Sequence, residues 1–132
     1  MGYADSGMAG QQYTVNGETF EVQYDSALGL TYAFNWFTGR FTYKGREFSS
    51  KEALVDFVKN VEPLMKRQKL EVTDNGKESG IEIIENDHIK ITRNIETGEV
   101  TYEAYGMTFA TAKDVAEYVA ARDMAQNQVD NQ

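Results

Sequence analysis

The chain repeats itself, and that constrains its fold more than any single motif. Asn35-Trp-Phe-Thr-Gly-Arg-Phe-Thr-Tyr43 aligns with Asn94-Ile-Glu-Thr-Gly-Glu-Val-Thr-Tyr102 at an offset of 59. Two residues are then added, and Gly45-Arg-Glu-Phe-Ser-Ser50 aligns with Gly106-Met-Thr-Phe-Ala-Thr111 at an offset of 61. Leu54, Phe57 and Val58 continue the match against Val115, Tyr118 and Val119, and upstream Asn16-Gly17 answers Asn75-Gly76 and Glu21-Val22 answers Glu82-Ile83. Recurrence at a nearly fixed period means one supersecondary unit used twice. In 132 residues each half lies near the lower limit of independent folding, so two units sharing one core are expected.

Periodicity gives each unit an order of strands and then a helix. Residues 19–24 alternate apolar and polar, as a half-buried strand does. Leu30–Phe37 follows, with Leu30, Tyr32, Phe34 and Trp36 on one face, and 40–44 returns after Thr38-Gly39 with Phe41 and Tyr43 apolar. A two-residue turn there sets Trp36 opposite Phe41 and Phe34 opposite Tyr43, which places all of these aromatics in the core and Phe37 outside. Ser49 and Glu52 have capping-box spacing, with Phe48 placed to pack back on the first turn. Leu54, Phe57, Val58 and Val61 form a stripe at helical spacing, and Pro63 interrupts it, with a short continuation through Leu64 and Met65. The second unit predicts strands at 81–85, 88–95 and 99–105, in which Ile89, Ile91 and Ile95 take the apolar positions and Arg93 replaces Phe34. Thr111 with Asp114 caps its helix, whose stripe of Val115, Tyr118 and Val119 ends at Arg122.

The expected fold is therefore α+β: a tandem (βββα)2 pseudo-dimer with an antiparallel sheet of up to six strands and two helices packed on one face. Residues 1–12, rich in Gly, Ala, Ser and Gln, read as a disordered start; 13–69 and 70–125 are the two units of one compact domain; 126–132 is a polar C-terminal tail.

Chemistry-bearing patterns are sparse. With no cysteine there is no disulfide framework and no thiolate metal site, and the single His88, beside Asp87, has no second histidine to complete a zinc site. It reads as a solvated turn residue. The acid pairs Glu82/Glu85 and Asp114/Glu117 fall on expected solvent faces, whereas catalytic carboxylates need one member in an apolar pocket. Asp74-Asn-Gly76 resembles part of a calcium loop without the remaining ligand spacing. No nucleophile elbow, phosphate loop or metalloprotease motif occurs. Neither an enzyme nor a cofactor or metal is expected. No apolar run approaches the roughly 18 residues of a membrane span and no signal-peptide pattern opens the chain, so a cytoplasmic setting (host cytoplasm, if phage-encoded) is the default.

Charge separates the copies. Residues 1–66 hold eight acids and six bases and residues 67–132 thirteen acids and seven bases, which places −6 of the net −8 in the second half. The expected outer face carries Thr31, Ala33, Asn35, Phe37, Arg40, Thr42 and Lys44 in unit one. Its counterpart carries Lys90, Thr92, Asn94, Glu96, Glu99, Thr101 and Glu103. Arg40 and Lys44 thus become Glu99 and Glu103. The candidate binding set on this face is Asn35, Phe37, Arg40, Thr42 and Lys44 with Asn94, Glu96, Glu99, Thr101 and Glu103, and the opposed charges suit association between copies of the chain.

Thr38-Gly39, Tyr43, Gly45, Phe48 and Ser50, with Thr97-Gly98, Tyr102, Gly106, Phe109 and Thr111, give each copy a loose pattern over about 30 residues that resembles the βββα modules of Apetala-type and integrase arm-type DNA-binding domains. The resemblance implies a topology and, in those families, a basic sheet face entering the major groove. This chain supplies only Arg40 and Lys44 there.

The function expected is non-catalytic binding of another protein, as an adaptor, inhibitor or assembly protein, including accessory proteins of phages and other mobile elements. Two alternatives stand beside it. One is an acidic mimic of nucleic acid, using Glu82, Glu85, Asp87, Glu96, Glu99 and Glu103 as a continuous band. The other is nucleic-acid binding through Arg40, Lys44, Arg46 and the Lys66-Arg67-Gln-Lys69 cluster.

Overall fold

The computed structural model describes residues 9–130. The fold is α+β, with two antiparallel five-stranded sheets, each followed by helix. The first sheet is a meander of β1 (Gln12–Val15), β2 (Glu18–Asp25), β3 (Leu30–Asn35), β4 (Phe41–Tyr43) and β5 (Arg46–Phe48) in that spatial order. Helix α1 (Lys51–Asp56) then runs through a π-helical turn (Phe57–Val61) into α2 (Glu62–Gln68). The second sheet repeats the meander with β6 (Glu71–Asn75), β7 (Ile81–Glu85), β8 (Ile89–Asn94), β9 (Val100–Ala104) and β10 (Met107–Phe109), and α3 (Ala112–Asp130) follows. The six strands that alternation reveals are all present. The other four are too short or too evenly exposed to show a period: β5 and β10 have three residues each, and every residue of β1 and β6 is exposed.

Strand β1 begins at Gln12, and the Gly10 amide already donates to the Val22 carbonyl at 2.7 Å, so the end of the expected disordered start belongs to the sheet; residues 1–8 lie outside the described ones. At the other end, α3 continues to Asp130 through residues expected to form a polar tail. The chain divides into two compact units, Met1–Leu54 and Val55–Gln132, so the line falls inside the helix, whereas the sequence placed it at 69/70.

Three hairpins close on two-residue turns with both residues at positive φ: Asn16-Gly17 (51° and 81°), Lys44-Gly45 (49° and 78°) and Tyr105-Gly106 (51° and 78°). This conformation matches the natural twist of paired strands. In the first unit Tyr32, Ala33, Tyr43, Phe48 and Leu54 are buried, with Phe34 against Phe41 at 5.1 Å between ring centroids. The helix is capped by Ser50, whose Oγ accepts from the Ala53 amide at 3.1 Å, rather than by Ser49. Ser50 aligns with Thr111, whose Oγ1 accepts from Asp114 in the same way at 3.1 Å. Lys51 bridges to Asp25 at 3.1 Å and lies over the Tyr32 ring. The Asp25 carboxyl is held below its ordinary range by the Leu28 amide and then by Lys51, while Tyr32 and Asp25 hold the Lys51 ammonium up.

Pro63 does not stop the helix. The Glu62 amide reaches back to the Phe57 carbonyl, five residues away, and this widened turn comes just before the residue that has no amide to donate. The helix ends at Lys69, at φ 56°, where the Leu70 amide returns to the Met65 carbonyl at 2.9 Å.

The second unit's core is Phe57, Val61, Leu64, Leu70, Ile84, Ile89, Ile91, Ile95, Tyr102, Ala104, Ala112, Val115 and Val119. Inside it sit two charged side chains. Glu82 and Arg93 are each 2 % exposed, face one another across β7 and β8, and bond at 2.9 Å between Nε and Oε1, with the guanidinium 5.7 Å from the Phe57 ring centre. Glu82 is therefore a core residue, contrary to its expected solvent placement. A carboxylate can be buried there because the residue opposite is an arginine.

Candidate protein-binding surface

The repeated Asn-x-x-Thr-Gly segment builds the same loop twice. Asn35 Oδ1 accepts from the amides of Phe37 (2.8 Å) and Thr38 (3.2 Å), as Asn94 Oδ1 does from Glu96 (3.0 Å) and Thr97 (3.1 Å). Thr38 and Thr97 each accept from the residue two further on, at 3.2 Å, and Gly39 and Gly98 each donate to the asparagine carbonyl at 2.8 Å. These are side-chain-capped turns, which hold a loop still without help from the core. In the first unit Asn35 adds a bond from Nδ2 to Glu18 Oε1 at 2.7 Å, and is only 5 % exposed.

The two loops display different residues. Between Asn35 and Arg40 the chain spends four residues on the turn, so Phe34 pairs with Phe41 and Trp36 leaves the strand. A two-residue turn had placed Trp36 in the core; it is 58 % exposed, touching Phe34 edge-on at 6.1 Å, and Phe37 beside it is 78 % exposed. The register shift is two residues, an even number, so the faces of the remaining aromatics are unchanged. At the equivalent positions of the second unit stand Ile95 and Glu96. Ile95 is 6 % exposed and packs against Gly76, where an added Cβ would stand 2.7 Å from its Cδ1. One loop folds its apolar residue inward; the other holds two aromatics out. Tyr13 and Val15, 44 % and 49 % exposed, extend the apolar surface along β1, and the Trp36 amide bonds to Thr19 on the adjoining β2 at 2.8 Å.

The outer-face set expected from sequence is spread over several environments. Asn35 and Asn94 are the turn caps just described. Phe37 is at the loop tip. Arg40, just before β4, reaches Glu47 of β5 at 3.3 Å, and Thr42 pairs with the same Glu47. Lys44 occupies the turn at the far end of β4, over the Tyr43 ring. In the second unit Thr101 lies opposite Thr92 and Glu103 opposite Lys90, while Glu96 and Glu99 are exposed on the loop. The acidic band loses Glu82 to the core, and Glu85 accepts a hydrogen bond from Thr73 across β6 and β7. Sequence reasoning missed Trp36, although the signal was present: the asparagine three residues before Thr38, recurring before Thr97, announces a capped four-residue turn.

His88 occupies an exposed turn whose amides bond to Asn86 Oδ1, and its ring stacks on Tyr105 at 4.7 Å. Arg122 lies 3.9 Å from the same ring centre and donates to the Tyr118 hydroxyl at 3.3 Å. An open groove of about 490 Å³ runs past His88, Tyr105, Arg122 and Asp123. The second helix's short apolar stripe thus ends in a cation stacked on an aromatic.

No family model matches the chain, and no curated protein or solved structure matches it. Among the described residues, no helix is long and apolar enough to cross a membrane.

Proposed function

We propose that this chain is a non-catalytic protein-binding module whose first unit engages its partner with Trp36 and Phe37. The observation that supports this reading is the pair's exposure on a braced loop, set against Ile95 and Glu96 on the same loop in the second unit. Large aromatics on fixed turns are what interface hot spots use, because little conformational freedom is lost on docking. Their exposed fractions amount to about 300 Å² of residue surface, most of it apolar, and burying it is worth at most about 7 kcal/mol before the cost of association. The adaptor, inhibitor and assembly roles all use such a surface.

The test is a differential capture. Trp36→Ser/Phe37→Ser is expected to keep the wild-type circular dichroism and lose the bound proteins, while Arg40→Glu/Lys44→Glu keeps them. The reverse pattern would transfer the binding surface to the outer sheet face. Capture unaffected by both variants but displaced by DNA would favour the acidic mimic. Direct binding of DNA at low salt would favour nucleic-acid recognition through the first unit.

A further inference from the structure

The first sheet ends in an edge that differs from the others. In the order β1-β2-β3-β4-β5, strand β1 has a neighbour on one side only among the described residues. Exposed edges present unpaired amides and carbonyls, and proteins blunt them with charge, proline, bulges or brevity. Among the described residues, β5 and β10 are three residues long, and β6 carries Glu71 and Asp74 with a register shift between Val72 and Asp74. Strand β1, Gln-Tyr-Thr-Val, is one residue longer than β5 or β10 and carries no charge and no proline, and its one irregularity is at its start, where Gly10 and Gln11 both bond to Val22.

Its hydrogen-bonding side can be worked out. The Trp36 amide bonds to the Thr19 carbonyl, so Thr19 points its backbone at β3, and its neighbours Glu18 and Phe20 point theirs at β1. Their partners Val15 and Tyr13 are thereby satisfied, and the amides and carbonyls of Gln12 and Thr14 face outward. We propose that this edge pairs with β1 of a second copy of the chain, antiparallel and centred on Tyr13, joining the two first sheets into a ten-stranded one. Gln12 then opposes Thr14 of the second copy twice, and Tyr13, already stacked on Phe20 at 5.2 Å, meets its own equivalent.

Charge favours a second copy as the occupant. Residues 1–54 carry six acids and four bases, so the pairing joins the nearly neutral units, and neither strand brings a charge to the seam. The same pairing through β6 would crowd Glu71 and Asp74 of both copies. A twofold axis through Tyr13 leaves the Trp36–Phe37 tips at opposite ends of the joined sheet, so the two tips stay clear of the seam. The inference stands on the edge alone, whether or not the tips bind anything.

Sedimentation of the full chain over a range of concentrations tests it. The expected result is a concentration-dependent rise from 14.9 kDa to twice that mass. Thr14→Pro removes an outward amide and leaves the β1–β2 ladder intact, and is expected to weaken dimerisation roughly tenfold or more. Thr14→Lys keeps the backbone and adds like charges at the seam, and gives the same result if the proline variant misfolds. Three outcomes overturn the proposal: a wild-type monomer at all concentrations, a dimer unaffected by either Thr14 variant, or a dimer broken only by Arg40→Glu/Lys44→Glu. Slow exchange of the Gln12 and Thr14 amides in a monomer would assign the edge to the chain's own N-terminal residues instead.

Discussion

Replacing Arg93 by methionine tests the account of the second core directly. The side chain is 2 % exposed, its Nε lies 2.9 Å from Glu82 Oε1, and its guanidinium sits by the Phe57 ring. Methionine fills much of the arginine stem's volume, so the change removes charge and hydrogen bonding with little cavity. It leaves an equally buried carboxylate facing an apolar group, and losing one partner of such a pair costs about 3–5 kcal/mol. The lost cation–π contact, desolvated between Arg93 and Phe57, adds about 2 kcal/mol. A domain's whole stability is about 5–15 kcal/mol, so the single variant should be severely weakened.

The comparison that isolates the cause is Glu82→Met/Arg93→Met, which removes the pair together and is expected to recover most of the loss, since a buried pair replaced by apolar groups is about neutral. Arg40→Met is the control: its pair with Glu47 is 32 % and 51 % exposed, and its loss should cost about 0–1 kcal/mol. Urea unfolding followed by far-ultraviolet circular dichroism reads all three variants, because the single tryptophan, Trp36, lies in the other unit. If the double variant is as unstable as Arg93→Met, or if Arg40→Met matches it, the buried-charge reasoning fails.

Gly76 and Gly17 answer one another in the repeat and both lie at positive φ, 76° and 81°. Gly17→Ala should cost about 1 kcal/mol, because only the backbone conformation objects. Gly76→Ala also drives a methyl group into Ile95 and should cost about 2–4 kcal/mol, measurable as a lower urea midpoint. Tyr102 is 4 % exposed, and its hydroxyl is pushed from 10 up to about 12 by burial and then by the Asp56 carboxylate. Its folded value lies above its unfolded one, so its contribution of about 3 kcal/mol is intact below pH 10 and lost as pH rises towards 12; Tyr102→Phe should remove that alkaline slope. Asn35→Asp keeps the acceptor for Phe37 and Thr38 but sets a carboxylate where Nδ2 now donates to Glu18. It should loosen the tip, seen as faster depolarisation of Trp36 fluorescence, whereas Asn94→Asp should leave that signal unchanged.

What was legible in the sequence followed from periodicity. Alternation marks β3, β4, β7, β8 and β9, each of which turns buried residues to a core, and also β2, whose eight residues are all half-buried; helical spacing marks Leu54, Phe57 and Val61, which are buried. Strand β6 leaves no such trace, since all five of its residues are exposed and it is held by backbone pairing to β7 with no side chain in the core. The surplus strands β5 and β10 depend on the turns Lys44-Gly45 and Tyr105-Gly106, where a lysine and a tyrosine adopt a conformation that sequence assigns to glycine or asparagine. Trp36 escapes the strand's period because the turn begins at Asn35, three residues ahead of Thr38-Gly39. The sequence sets Arg93 at the inward position of Phe34 and Glu82 on a solvent face, and the register that puts them opposite one another explains why both are buried.

The copies can also serve as controls for one another. Both keep the asparagine, threonine and glycine that fold the loop, so selection of that geometry cannot by itself explain what the loop displays. The second unit fills its version with Ile95, which closes on Gly76, and with Glu96, which faces water. A loop of this shape therefore has a self-contained solution, and the first unit departs from it at two adjacent positions. Leaving a tryptophan and a phenylalanine in water adds nothing to the fold that Ile95 and Glu96 do not supply, and it carries a risk of aggregation. Trp36→Ile/Phe37→Glu, which copies the second loop into the first, is thus expected to leave the urea midpoint unchanged or raise it. A large loss of stability in that variant would show the aromatics to be part of the fold, and would remove the reason for assigning them a partner.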